Sequence, residues 1–112
     1  MPQLYILNKE ISDIKAHIMA LLAQSVHSSQ QSLLIKLDNI NHSEWLDYAA
    51  LHLGSEYQGY IKRLMQLEAA ISQHEIGLYG VCADCEQPIE QSRLNIDLAC
   101  QRCIKCEEKY AQ

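Results

Sequence analysis

Phenylalanine is absent from this 112-residue chain, glycine and proline number only four and two, and no cysteine precedes Cys82. So few helix breakers favour helix, while the apolar and charged fractions are ordinary for a soluble protein. No apolar run approaches the ~20 residues of a membrane span. The opening Met-Pro-Gln-Leu-Tyr-Ile-Leu-Asn-Lys-Glu has neither a basic segment nor a small-residue cleavage site, so a cytoplasmic protein with no membrane partner is expected. The length corresponds to one domain, or to a small domain with a long appendage. A net charge of −5 argues against direct DNA binding, because affinity for phosphate backbones rests on Lys and Arg. No Ser/His/Asp set, phosphate-cradling Gly loop or catalytic carboxylate pair is apparent, and the five histidines show no ligand-like pairing, so the chain is not expected to be an enzyme.

What is present is a cluster of five cysteines, Cys82, Cys85, Cys100, Cys103 and Cys106. Two C-x2-C pairs separated by about 15–20 residues describe a four-thiolate zinc site, because each pair makes a tight knuckle and the spacer lets the knuckles face each other. One cysteine is surplus. Pairing Cys100 with Cys103 leaves a spacer of x14, and pairing Cys103 with Cys106 leaves x17. The x17 spacing falls in the usual range and selects Cys82, Cys85, Cys103 and Cys106 as ligands of Zn2+. In a reducing cytosol such a cluster holds metal rather than disulfides. Four thiolates leave no open coordination position, which makes the zinc structural; an iron-bound electron carrier is the rival, distinguishable by a visible absorption band.

Upstream, apolar residues step by four and three through Leu46, Ala50, Leu53, Tyr57, Tyr60, Leu64, Leu67 and Ile71, a heptad seam. It predicts one helix from about Glu44 to Ile76, near ~50 Å long at ~1.5 Å per residue, weakened at Gly54 and Gly59. A second stripe, Leu7, Ile11, Ile14, Ile18 and Leu22, resumes at Val26, Leu33, Leu37 and Ile40 after the polar patch Ser25 to Ser32. Between the two stripes, Asp38-Asn39-Ile40-Asn41-His42-Ser43 is the turn-rich stretch that reverses the chain, with Asn41 and Glu44 spaced as a capping box. Segments 8–37 and 46–75 then pair antiparallel. Gly77 and Gly80 supply left-handed residues that end the helix just before the first knuckle. The expected architecture is mainly α: a long antiparallel coiled-coil hairpin over 1–78, with its tip at about 38–47, and a four-cysteine zinc finger with a short closing helix over 79–112.

Tyr79-Gly80-Val81-Cys82-Ala83-Asp84-Cys85, followed by Pro88-Ile89, Arg93-Leu94 and a distal Cys103-x-x-Cys106, resembles the DksA/TraR family of bacterial transcription regulators. The likeness extends over roughly residues 44–110, and the family's seventeen-residue spacing between knuckles agrees with the ligand set above. Cys100 then stands where the family often has a small residue, a role that a free cysteine fills as a small apolar side chain. The resemblance implies a regulator that binds RNA polymerase and inserts its hairpin tip into the secondary channel. Glu44-Trp45-Leu46-Asp47-Tyr48-Ala49 aligns with the family's D-x-x-D-x-A tip, so Glu44, Asp47 and Ala49 are the implied partner-binding residues. Acids in a first helical turn are also favoured by the helix dipole whatever the protein does.

The departures from the family pattern carry information as well. Where the family's guanosine tetraphosphate site has cations, this chain has Asp97 and Glu107, which repel a polyphosphate. Glu86 replaces the glycine after the second cysteine, so a non-glycine residue is expected in a left-handed conformation at a cost of about 1–2 kcal/mol. From a different functional class, the alternative reading is a structural zinc-finger adaptor whose acidic hairpin binds another protein.

Overall fold

The structure, a computed structural model, describes residues 2–110. It is mainly α-helical: α1 (Pro2–Gln24), α2 (Ser28–Asn39), α3 (Trp45–His52), α4 (Gln58–Glu75), α5 (Gln91–Ile96) and α6 (Ile104–Tyr110). Residues 10–65 form one compact unit; the segments before Glu10 and after Met65 form the other. No described helix is long and apolar enough to cross a membrane.

In the unit from Glu10 to Met65, each of the two predicted long helices is interrupted once. The first break is at Ser25-Val26-His27. The Ser25 hydroxyl accepts the His27 N–H at 3.2 Å and its carbonyl accepts the Gln31 amide at 3.0 Å, so local side-chain bonds replace the helical ladder. His27 is extended (φ −79°, ψ 129°) and starts α2. Val26, placed in the stripe by its spacing, is 90% exposed because the chain turns there. The second break follows α3, where Leu53 and Gly54 are extended and Ser55–Tyr57 makes a 3-10 turn. A Cβ at Gly54 would come within 2.6 Å of the Glu56 carboxylate, which folds over it. Gly54 has an ordinary φ of −74°, and the atoms it faces are the flexible end of an exposed side chain.

Interrupted in this way, the arms fold back on themselves. Glu10 pairs with Arg63 through Oε2–Nε at 2.6 Å and Oε1–Nη2 at 3.1 Å, and His17 meets the Tyr60 hydroxyl at 3.1 Å. The α1 and α4 segments of this unit are therefore antiparallel neighbours. Pairing 8–37 with 46–75 would instead have set Glu10 opposite residue 73. On α2 and α3, Lys36 lies over the Tyr48 ring at 5.5 Å, and Gln30 donates to Glu56 at 3.3 Å. The turn between α2 and α3 reaches the middle of α1, where Lys15 Nζ is 3.5 Å from His42 Nδ1 and 4.9 Å from the Trp45 ring centre. The result is a small four-segment bundle.

Ile11, Ile18, Leu22, Leu37, Trp45, Leu46, Ala49, Leu53, Tyr57, Ile61 and Leu64 are its buried side chains. The expected stripes are recognisable, with Ala49 and Ile61 inward where Ala50 and Tyr60 were placed. Tyr57 sits deep enough that burial, and then the Glu56 charge, raise its pKa above the ordinary phenol value.

Two outcomes follow from this packing. A double-mutant cycle on Glu10→Gln and Arg63→Gln gives a coupling of about 0.5–1 kcal/mol in urea unfolding; no coupling is expected from the straight pairing. Trp45→Ala destabilises the protein by about 3–5 kcal/mol, measured by the same unfolding transition.

Candidate metal centre and acidic tip

In the other unit, α4 ends in a Schellman arrangement: Leu78 N–H donates to the Gln73 carbonyl at 2.8 Å and Gly77 N–H to that of His74 at 3.2 Å, with Gly77 at φ +77°. Gly80, at φ +85°, makes the next turn, closed by Val81 N–H to the Leu78 carbonyl at 3.2 Å. The chain enters the first knuckle two residues later. Val81 pairs with Pro88 across a small hairpin, and Cys82 N–H donates to the Gln87 carbonyl at 2.8 Å. Glu86 occupies the left-handed conformation expected of it, φ +64°.

The second knuckle runs into α6, where Glu107 N–H closes back on the Cys103 carbonyl at 3.0 Å. Several contacts clamp the two knuckles together. Ala83 N–H donates to the Gln101 carbonyl at 2.8 Å, and Arg102 pairs with Asp84 at 2.5 Å. Arg93 donates to the Arg102 carbonyl at 3.2 Å, and Glu90 accepts the Ile104 N–H at 3.2 Å. Asp84, Glu90 and Arg102 carry no signal in the sequence beyond proximity to the cysteines and charges of opposite sign. Two glutamines join α4 to this module, Gln101 donating to the Gln66 carbonyl at 2.7 Å and Gln66 to that of Ala99 at 3.3 Å.

Cys82, Cys85, Cys103 and Cys106 bring their sulfurs within 4.8 Å of one another, with Cys85 and Cys103 3.6 Å apart. A tetrahedron of sulfurs at the Zn–S distance of ~2.3 Å has edges of roughly 3.8 Å, so the donor set and its size fit Zn2+. All five cysteines are free thiols. The backbone N–H of Cys85, assisted by those of Cys103 and Asp84, draws the Cys82 thiol down to about 6 against the opposing effect of burial. Burial, and then the neighbouring sulfurs of Cys103, Cys82 and Cys85, push Cys106 up to about 12. At Cys85 the Gln87 N–H pulls downward, but burial and the Cys82 and Cys103 sulfurs outweigh it and the thiol rises. The readily ionised Cys82 thiol thus sits beside two, Cys85 and Cys106, that hold their protons more firmly.

Cys100 lies outside the four-sulfur group. Half-buried, it donates its thiol to the Arg102 carbonyl at 3.3 Å and packs on the core of Cys82, Ile89, Leu94 and Cys103. Tyr79 packs on the same core and donates its hydroxyl to the Leu98 carbonyl at 2.8 Å. His74 stacks on its ring with 4.0 Å between centroids. Burial, followed by the Asp97 charge, raises the Tyr79 pKa.

The implied tip residues fall on two sides of α3. Glu44 and Asp47 are exposed, whereas Ala49 is fully buried in the bundle. Trp45 is 6% exposed, and half-buried Tyr48 stacks on His52 at 4.2 Å. The capping box expected at Asn41 and Glu44 is replaced by a backbone turn, in which Glu44 N–H donates to the Asn41 carbonyl at 3.0 Å with no side-chain cap. Asp97, one of the two acids that replace cations, caps a turn by accepting the Ala99 N–H at 2.9 Å. Glu107 is exposed in the first turn of α6.

Two knuckles, four converging thiolates and a clamp of backbone bonds define a C4 zinc-finger protein whose metal is structural, since no coordination position is left for water or substrate. Residues 77–112 match the family model for the prokaryotic dksA/traR C4-type zinc finger. Comparison with curated proteins and with solved structures gave no match.

Three measurements test the centre. Cys100→Ala retains one equivalent of zinc, and Cys106→Ala does not, by metal analysis of purified protein. Zinc affinity falls as pH is lowered from about 8 to about 6, because Cys85 and Cys106 must lose protons that acid restores; competition against a chromophoric chelator reads this out. Glu86→Gly raises stability by about 1 kcal/mol by relieving the left-handed backbone, seen as a higher unfolding midpoint.

Proposed function

We propose that this protein is a transcription regulator that docks on RNA polymerase and presents Glu44 and Asp47 to the polymerase secondary channel, acting through protein contact rather than by binding DNA. The observation that carries the reading is the DksA/TraR-type finger on a chain whose two implied tip acids are both exposed at the start of α3. Ala49 supports them from beneath: its small side chain lets α3 pack closely while the acids face outward.

The finger supports a second element of the proposal, that regulation proceeds without guanosine tetraphosphate at the family's finger-side site. Asp97 and Glu107 put negative charge where a polyphosphate needs cations, and the Asp97 carboxylate is already engaged with the Ala99 N–H. A particular observation favours an alternative. Because both arms fold back, the acids are carried on a four-segment bundle and not on two uninterrupted helices. An adaptor that offers this acidic surface to another protein needs no long arm.

Co-purification with core polymerase separates the two readings. On the polymerase reading, Asp47→Asn keeps binding to the enzyme but abolishes the change in open-complex lifetime; an unaltered transcription profile for that variant would count against a mechanism based on the tip. Calorimetric titration with guanosine tetraphosphate is expected to give no binding heat, and micromolar binding lost in the Asp97→Ala, Glu107→Ala double variant would refute that element.

A further inference from the structure

A groove of about 460 Å³ between the end of α4 and the first knuckle is used neither by the metal centre nor by the tip acids. Gln73, Leu78, Val81, Cys82, Ala83 and Glu86 line it. Its floor is apolar, and Leu78 is 47% exposed. Glu86 is the one charged side chain of the lining, which contains no cation. The Glu86 carboxylate has no hydrogen-bond or ion-pair partner among the described residues. Gln73, at the end of α4, and Cys82 complete the wall.

An apolar floor beneath a negative rim is complementary to a side chain with an aliphatic stem and a cationic head. Arginine suits it better than lysine, because guanidinium is weakly hydrated and its planar fork matches a carboxylate. Glu86 adds an independent indication. Its backbone is held at φ +64°, where glycine would be unstrained, and strain retained at an exposed carboxylate points to a use for that carboxylate.

We propose that this groove is a docking site for an arginine side chain presented by a partner protein, the stem lying on Leu78 and Val81 and the guanidinium on Glu86. The site is separate from the tip acids and stands or falls independently of the polymerase reading. The test is an amide NMR titration of the zinc-loaded full chain with acetyl-Leu-Arg-Leu-amide, alongside the same peptide carrying neutral citrulline in place of arginine. Saturable shifts are expected at Leu78, Val81, Ala83 and Glu86. Binding is expected to weaken at least about fivefold with the citrulline peptide, and likewise in Glu86→Gln and Glu86→Gly, since each removes the charged pair. Glu86→Gln keeps the shape of the side chain, and Glu86→Gly relieves the backbone, so neither variant threatens folding. Absence of saturable shifts at these amides, equal binding of the citrulline peptide, or full binding retained in either variant would overturn the proposal.

Discussion

Four sulfur atoms gathered within 4.8 Å repel one another as soon as more than one is ionised, and the finger depends on resolving that conflict. Backbone N–H groups stabilise a single thiolate at Cys82, while the crowding that makes the site compact drives Cys106 to hold its proton. A divalent cation removes the repulsion and ties two otherwise separate knuckles. The core of Cys82, Ile89, Leu94 and Cys103, with half-buried Tyr79, Cys100 and Cys106 packed on it, is small, and a small core gains most from such a tie. The Asp84–Arg102 pair and the Arg93 and Glu90 contacts orient the knuckles, a supporting role suited to interactions that are partly exposed and individually weak.

The bundle from Glu10 to Met65 meets a similar shortage of material by a different route. Two straight helices expose most of their surface; folding each arm back lets a few large side chains be shared. Trp45 gains most from this, buried in the bundle with the Lys15 ammonium over its ring. Leu51, on the opposite side of α3, is 80% exposed and shows how narrow the inward stripe of that helix is. The same rotation turns Glu44 and Asp47 outward, so the inward packing of the tryptophan and the exposure of the acids have one cause.

Much of this was legible in the residues. The x17 spacing singles out the sulfurs that converge, the glycines before Cys82 mark the positive-φ positions that end α4, and Glu86 stands where a left-handed backbone was expected. Of the stripes, Leu7, Ile11, Ile18 and Leu22 and then Leu46, Leu53, Tyr57, Leu64 and Leu67 are buried, while Ile14, Ala50, Tyr60 and Ile71 are half-buried. The two breaks were harder to read. Ser25 and Gly54 lower helix propensity by amounts that tertiary packing overrides in either direction, and the decisive contacts, Ser25 to Gln31 and Lys15 to Trp45, join residues that no short-range pattern connects. The orientation of Trp45 was ambiguous for the same reason: a helix of eight residues does not fix which face turns inward until its neighbour is known.

The pairing of Glu10 with Arg63, instead of with a residue near position 73, has a consequence for how such chains change. A seven-residue pattern fixes which face of each helix turns inward but not which turn of its partner that face meets. Phase is encoded throughout the sequence, whereas register rests on a few contacts, here a serine that diverts its own backbone and side chains that meet across segments, Glu10 with Arg63 and Lys15 with Trp45. Such contacts, each between single residues, are where one such sequence would be converted between a bent bundle and an extended arm.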